Sequence, residues 1–412
     1  MNAAKERWPE ILIFLYFMLK PFYINDFPMQ IADFLLLALF GYCILHKRKD
    51  AISIHSHTGR AFFVWCLLTT YVCLVNFIWF LCLNCRLERY ETNRLFMSSL
   101  YFIYNGIAIY TVLMLYSVFG KRLYRIFMYS AFSSVMLQII MSVILYDSSV
   151  SRQIIAFSNP NQLGYYAIIM LTIGILWGEY LSLWQLRLFI LGTLYLNFIS
   201  LSKASIIAGV VSIAFCIIYR YNNKGFFHRR NKVFLIVSGI VCILALLLAG
   251  TSGEEASLLH RVFDRIANMG KEADSALGNG RGYNRIFEMN TNIFWGMGEG
   301  AYERFSVMTG NEVHSTYISI LASYGVIGLF LWLLCMAEFL LRKKQVWFVL
   351  VSLSGVALYW VTHNGIRNTM VWMVIALLSI SLQSDLEKKC KRDGKEIKNE
   401  IFDAGNQTVI KC

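Results

Sequence analysis

The chain has 412 residues, 57% of them hydrophobic, a mean hydropathy of +0.54 and four prolines. A soluble domain of this length is not so apolar, and a β-barrel would show short alternating strands instead of long apolar runs. The net charge of +13 does not point to nucleic acid, because the basic residues sit in short clusters between apolar runs.

The N-terminal stretch carries Lys5 and Arg7 ahead of an apolar run from Ile11. No small-residue cleavage site follows, so a retained first helix is expected. By the length rule, spans are predicted near 9–25, 28–46, 61–83, 96–119, 126–146, 163–180, 186–202, 204–220, 233–251, 315–341, 346–362 and 368–383. This is an all-α polytopic membrane protein with about twelve transmembrane helices and one long outer loop. An even number of spans puts both termini on one side. If that side is the cytoplasm, the inner loops hold Lys47, Arg48, Lys49, Arg60, Lys121, Arg122, Arg125, Arg229, Arg230, Arg342, Lys343 and Lys344. The short outer loops hold few, among them Arg152 and Arg367. That bias places both termini in the cytoplasm. Residues 1–150 are then N-terminal helices, 151–383 a core that includes the outer loop 252–314, and 384–412 a basic cytoplasmic tail. Most cysteines lie inside apolar runs and read as small hydrophobes. Cys82 and Cys85 have redox spacing but lack a second pair.

The outer loop keeps Arg261, Arg265, Lys271, Arg281, Arg285 and Arg304 against the topogenic bias. Two amphipathic segments are predicted, His260–Met269 and Gly282–Trp295, with Arg281 and Arg285 on one face at the start of the second. Guanidiniums at a helix start suit a diphosphate. The turn Gly296-Met297-Gly298-Glu299-Gly300 permits close backbone approach or positive φ. His314 stands at the mouth of the next helix, where an imidazole suits proton transfer near neutral pH; its plainer role is helix initiation, with Ser315 or Thr316 as cap. Three further outer turns face the same side: Asn159-Pro160-Asn161, Ser202-Lys203-Ala204, and His363 to Arg367. A lysine at a span boundary needs an anion or water, or reaches for the interface. Arginine and lysine, not a metal, are expected to neutralise a leaving diphosphate, and no cofactor is expected.

Taken in order, these pieces resemble the bacterial O-antigen ligases and O-antigen or capsular polysaccharide polymerases. The resemblance spans residues 155–380. It rests on Asn159-Pro160-Asn161, on Ser202-Lys203-Ala204 in the place of a Ser-Arg-Gly/Ala motif, and on Gly280-Arg281 with Gly296-Met297-Gly298. Arg285, spaced ten residues before Gly296, and His314-Ser315 with Gly325 and Gly328 complete it. It implies a fold related to membrane glycosyltransferases of the C type in the bacterial inner membrane. The implied reaction moves a glycan from undecaprenyl diphosphate to an acceptor hydroxyl. A flippase and a chain-length regulator are implied partners. Arg281, Arg285 and Lys203 would hold the diphosphate and His314 would assist the acceptor. Asn159, Asn161, Gly296, Gly298 and Glu299 would contact donor or acceptor. Lysine at 203, where arginine is usual, gives up the bidentate fork. Polymerisation of lipid-linked repeats is favoured over ligation to lipid A–core. Glu299 and Glu303 are the reserve bases. A lipid-linked oligosaccharide flippase is the rival from another class, suited by the span count alone.

Overall fold

A computed structural model describes residues 7–23, 30–46, 57–83, 90–145, 152–222, 283–300, 313–341 and 346–382. Among these residues there are helices and turns but no strand. The predicted span 233–251, the amphipathic segment 260–269, Arg281, Glu303, Cys85 and the tail lie outside the described residues.

The helices are α1 (Arg7–Leu19), α2 (Ile31–Leu45), α3 (His57–Cys82), α4 (Tyr90–Phe119), α5 (Arg122–Ile144), α6 (Pro160–Trp177), α7 (Leu183–Ile199), α8 (Lys203–Asn222), α9 (Thr316–Leu340), α10 (Val346–Thr362) and α11 (Thr369–Leu382). Each coincides with a predicted span. Among the described residues five helices, α3 to α6 and α9, are long and apolar enough to cross a membrane. Helices α2, α7, α8, α10 and α11 are apolar but shorter. Among the described residues the protein is all-helical, with the apolar helices of an integral membrane protein.

The core forms around α6 and α11. Nearly every residue of α6 from Leu163 to Trp177 is buried, as is almost all of α11 from Met370 to Leu382. A helix apolar on all sides belongs inside a bundle. Around them, α8 packs on α10, α9 on α3, α3 on α4, and α1 on α2 and α5. Gly164 lies against Ser200 and Ser205, and Gly355 against Ser212 and Ala208. Small residues let helices approach closely where lipid supplies no hydrophobic drive between them. Phe63, Leu67, Leu74 and Phe77 of α3 and Phe330 and Leu333 of α9 are exposed, as expected of surfaces facing acyl chains.

Charges on the described helices lie near their ends, and several are paired. Lys20 binds Asp33 at 2.8 Å, Arg60 lies 3.6 Å from Glu338, and Arg122 binds Glu10 at 2.7 Å. Glu179 is exposed on a one-turn 3-10 helix after α6. This is the economical way to carry charge in a lipid-embedded bundle. Among the described residues it gives no line of charges through the centre of the kind a transporter uses.

Candidate functional site

The ends of α1, α3, α5, α7 and α10 and the starts of α2, α4, α6, α8, α9 and α11 share one end of the bundle. Sequence reading assigned these turns to the outer side.

One arc of this end is built by the turns before α6, α8 and α9. Asn159 caps α6, its side chain accepting from the Gln162 amide at 3.0 Å, with Pro160 following at the first helical position. Asn161 accepts from Arg152 Nη2 at 2.7 Å, and its carbonyl accepts from Tyr359 Oη at 3.0 Å. Arg152 Nε also donates to the Ser200 carbonyl at 3.2 Å. This ties the α6 turn to the α7–α8 turn, where Leu201 takes a left-handed φ of 46° and Ser202 is buried. Lys203 is the first residue of α8 and is partly buried. Tyr359 stacks on His363 with ring centroids 4.5 Å apart, and the His363 ring lies 6.4 Å from that of His314. His314 is exposed, and its carbonyl accepts from Tyr283 Oη at 3.4 Å. Ser315 caps α9 as expected. A contact chain thus runs from the Lys203 turn through Arg152, Asn161, Tyr359 and His363 to His314. Two of the residues proposed from sequence, Lys203 and His314, share this end. Arg152, Tyr359 and His363 complete the connection and were not proposed; Arg152 and His363 were visible only as outer-turn residues.

The second arc is the glycine turn. The predicted helix over Gly282–Trp295 is a correction: the structure has two short 3-10 turns, Tyr283–Glu288 and Asn290–Ile293. Asparagine and threonine at 290–292 are poor helix formers by residue type. Met289 is buried while Phe287, Phe294 and Trp295 are exposed, so the apolar residues do not form the one face an α-helix would give. Turns this short offer no helix-dipole site, so any contribution of Arg285 to anion binding rests on its own charge. Its backbone lies in the first turn.

After Trp295 the chain meets a break in α9. Gly325 has φ 66° and ψ −169° within the helix. Such a break leaves backbone groups without helical partners, and the glycine turn supplies them. Met297 N–H donates to Ala322 O at 3.0 Å, Gly298 N–H to Ser323 O at 2.9 Å, and Ile327 N–H to Phe294 O at 3.3 Å. Tyr71 Oη donates to the carbonyls of Trp295 and Tyr324, each at 3.1 Å, and Trp79 Nε1 to Gly296 O at 3.2 Å. Gly296, with φ 87°, and Gly325 face each other so closely that a Cβ on either would strike the other strand's backbone. Above Gly298 stand Leu95 and Trp79. These contacts require glycine at 296 and 298 without a ligand.

The turn delivers Glu299 to the interior, 7% exposed. Its Oε1 pairs with Arg367 Nη2 at 2.5 Å, Oε2 accepts from Tyr324 Oη at 3.3 Å, and its amide donates to Asn76 Oδ1 at 3.2 Å. Tyr324 Oη is 2.7 Å from Ser98 Oγ. Arg367 lies over the Tyr101 ring, 5.9 Å from its centroid. Arg367 is a residue that sequence reading passed over as part of a turn.

The comparisons with known proteins bear on this end of the bundle. A family model described as O-antigen ligase matches residues 188–333, a stretch that holds Lys203, Arg281, Arg285, the glycine turn and His314.

Over that segment the chain is similar to the O-antigen ligases.

No curated protein matches it. The matched segment resembles that of membrane enzymes that handle glycans. Arg152, His363 and Arg367 fall outside the O-antigen ligase match yet contact Ser200, Thr316 and Glu299 within it. The described helices thus continue the site on both sides of that segment.

Proposed function

We propose that the protein polymerises polyprenyl-diphosphate-linked oligosaccharide repeats into a surface polysaccharide, in a single inverting displacement at the outer face of the cytoplasmic membrane. The acceptor hydroxyl oxygen attacks the anomeric carbon of the donor, and the C–O bond to the diphosphate breaks. The diphosphate departs with the electron pair, and His314 takes the hydroxyl proton. Lys203, Arg281 and Arg285 hold the diphosphate and neutralise its charge, in place of a metal. Asn159 and Asn161 border the site, and both are already engaged in shaping the α6 turn. The contact chain between the Lys203 turn and His314 supports this reading, because an ammonium suited to phosphate and an imidazole suited to proton transfer then share one end of the bundle.

Lysine at 203 gives a direct test. Lys203→Ala is expected to raise the donor KM about 10- to 100-fold, the loss of one charge-assisted hydrogen bond. Lys203→Arg should hold or lower it, since the guanidinium keeps the charge and adds the fork. Initial rates against a lipid-linked donor check both. An alanine variant with wild-type KM removes Lys203 from the donor site.

Ligation of the glycan to lipid A–core is the second reading, favoured by the description of the matching family. Deletion of the gene separates the two. Loss of a polymerase leaves single repeat units on the cell surface, whereas loss of a ligase leaves long chains on the lipid carrier.

A further inference from the structure

Two stretches of non-helical backbone are sunk into the bundle. The first is 294–300, paired to α9 at its break, two turns from the start of that helix, or roughly 12 Å along it. The second is 363–368, the turn between α10 and α11. Asn105 Nδ2 donates to Ile366 O at 3.1 Å, from a point roughly 22 Å along α4. Tyr165 Oη donates to Gly365 O at 3.3 Å, and Trp372 Nε1 to Ile366 O at 2.7 Å. Irregular backbone at membrane depth persists only where protein or a polar cavity satisfies it. Here protein side chains from α4, α6 and α11 do so.

The two stretches meet at the Glu299–Arg367 pair. Their far ends lead to different parts of the proposed site. Residues 283–300 carry Arg285 on the same short segment. Residues 363–368 hold the start of α9: Thr316 Oγ1 donates to His363 O at 3.0 Å and accepts from Gly365 N–H at 2.9 Å, and Asn364 Nδ2 donates to Ser319 Oγ at 3.1 Å. His314 precedes that start by two residues. A well-packed apolar pair would fill the same space at lower cost in desolvation, and charges inside a membrane bundle mark function more often than scaffolding.

We propose that Glu299 and Arg367 are positioning residues: their ion pair locks the arginine-bearing segment to the turn that seats His314. The pair acts on the geometry between diphosphate and proton acceptor, and does not itself touch the reacting atoms. The effect on catalysis rests on the transferase reading above; the mechanical link between the two stretches does not.

The test uses the full-length protein in lipid nanodiscs, with Glu299→Gln, Glu299→Ala, Arg367→Lys, Arg367→Ala and the double alanine variant. Kinetics with a lipid-linked repeat should show kcat falling about 10- to 100-fold in each alanine variant with donor KM within about threefold. Arg367→Lys should recover part of the loss, and the double variant should be no worse than the poorer single. Hydrogen exchange supplies a readout independent of activity. Peptides covering 294–300 should exchange faster when only Arg367 is changed, and peptides covering 363–368 when only Glu299 is changed, while α6 and α11 stay protected. A donor KM that rises while kcat holds would make Arg367 a donor ligand and overturn the proposal. So would losses that multiply in the double variant, or exchange confined to the mutated stretch. Reciprocal exchange in a protein that transfers no glycan would uphold the link and reject the transferase reading. If the alanine variants fail to fold, Glu299→Gln and Arg367→Gln, which remove one charge each, carry the same exchange comparison, and absence of reciprocal change in both overturns the lock.

Discussion

Replacing His314 by alanine is expected to lower turnover by about 10²- to 10⁴-fold, the range for loss of a positioned general base, with donor binding changed far less. The imidazole is exposed at the end of the bundle where Lys203 opens α8. It cannot contribute to stability as a buried side chain would, so loss of activity with an unchanged melting temperature separates catalysis from folding. The pH dependence has a definite sign. A base acts in its neutral form, so wild-type turnover should rise with pH as the base gives up its proton, and that limb should vanish in His314→Ala. His363, 6.4 Å away between ring centroids, is the nearest described imidazole, and His363→Gln should leave the limb in place. Initial rates between pH 5 and 8, with binding measured separately, check these outcomes. A variant that keeps its turnover removes His314 from the chemistry.

The second large effect is structural. Gly296→Val should destabilise the protein by more than about 3 kcal/mol, since it combines positive-φ strain with a collision that no rotamer relieves. The obstacle is the backbone at Ser323 and Tyr324, which cannot swing aside. Gly325→Ala meets the carbonyl of Phe294 from the opposite side and should behave alike. At Gly41 in α2 nothing stands within 4 Å of the place a Cβ would take, so Gly41→Ala should be neutral or stabilise by up to about 1 kcal/mol. Thermal unfolding followed by tryptophan fluorescence in detergent distinguishes them. Equal melting temperatures for all three variants would show that the glycine turn is not seated on the break in α9.

The helices and the bundle end that gathers the candidate residues were legible because apolar run length and end caps are local properties. Ser315, one of two expected caps, announced itself by residue type and position alone. The glycine motifs were legible as motifs but not as a contact. Gly296 and Gly325 belong to segments separated by an outer stretch of chain, and only the fold shows that each glycine exists to admit the other. Arg367 was overlooked for the same reason: a single arginine in a short turn gives no sign that Glu299 comes down through the glycine turn to meet it. Glu299, read as a reserve base, has both oxygens engaged by Arg367 and Tyr324. The helix expected over 282–295 failed because its apolar spacing was compatible with a helix while Asn290, Thr291 and Asn292 were not. Residues 1–150 offered only hydrophobicity, yet Asn76, Tyr71 and Trp79 of α3 and Asn105 of α4 hold both sunken stretches.

Glycosyl transfer by the purified protein is the most direct measurement. In lipid nanodiscs, supplied only with a polyprenyl-diphosphate-linked repeat, it should release polyprenyl diphosphate and form longer lipid-linked glycans, both slowed at least about 100-fold by His314→Ala. Intact donor after prolonged incubation, with the same protein moving that donor across a sealed bilayer, would contradict the account.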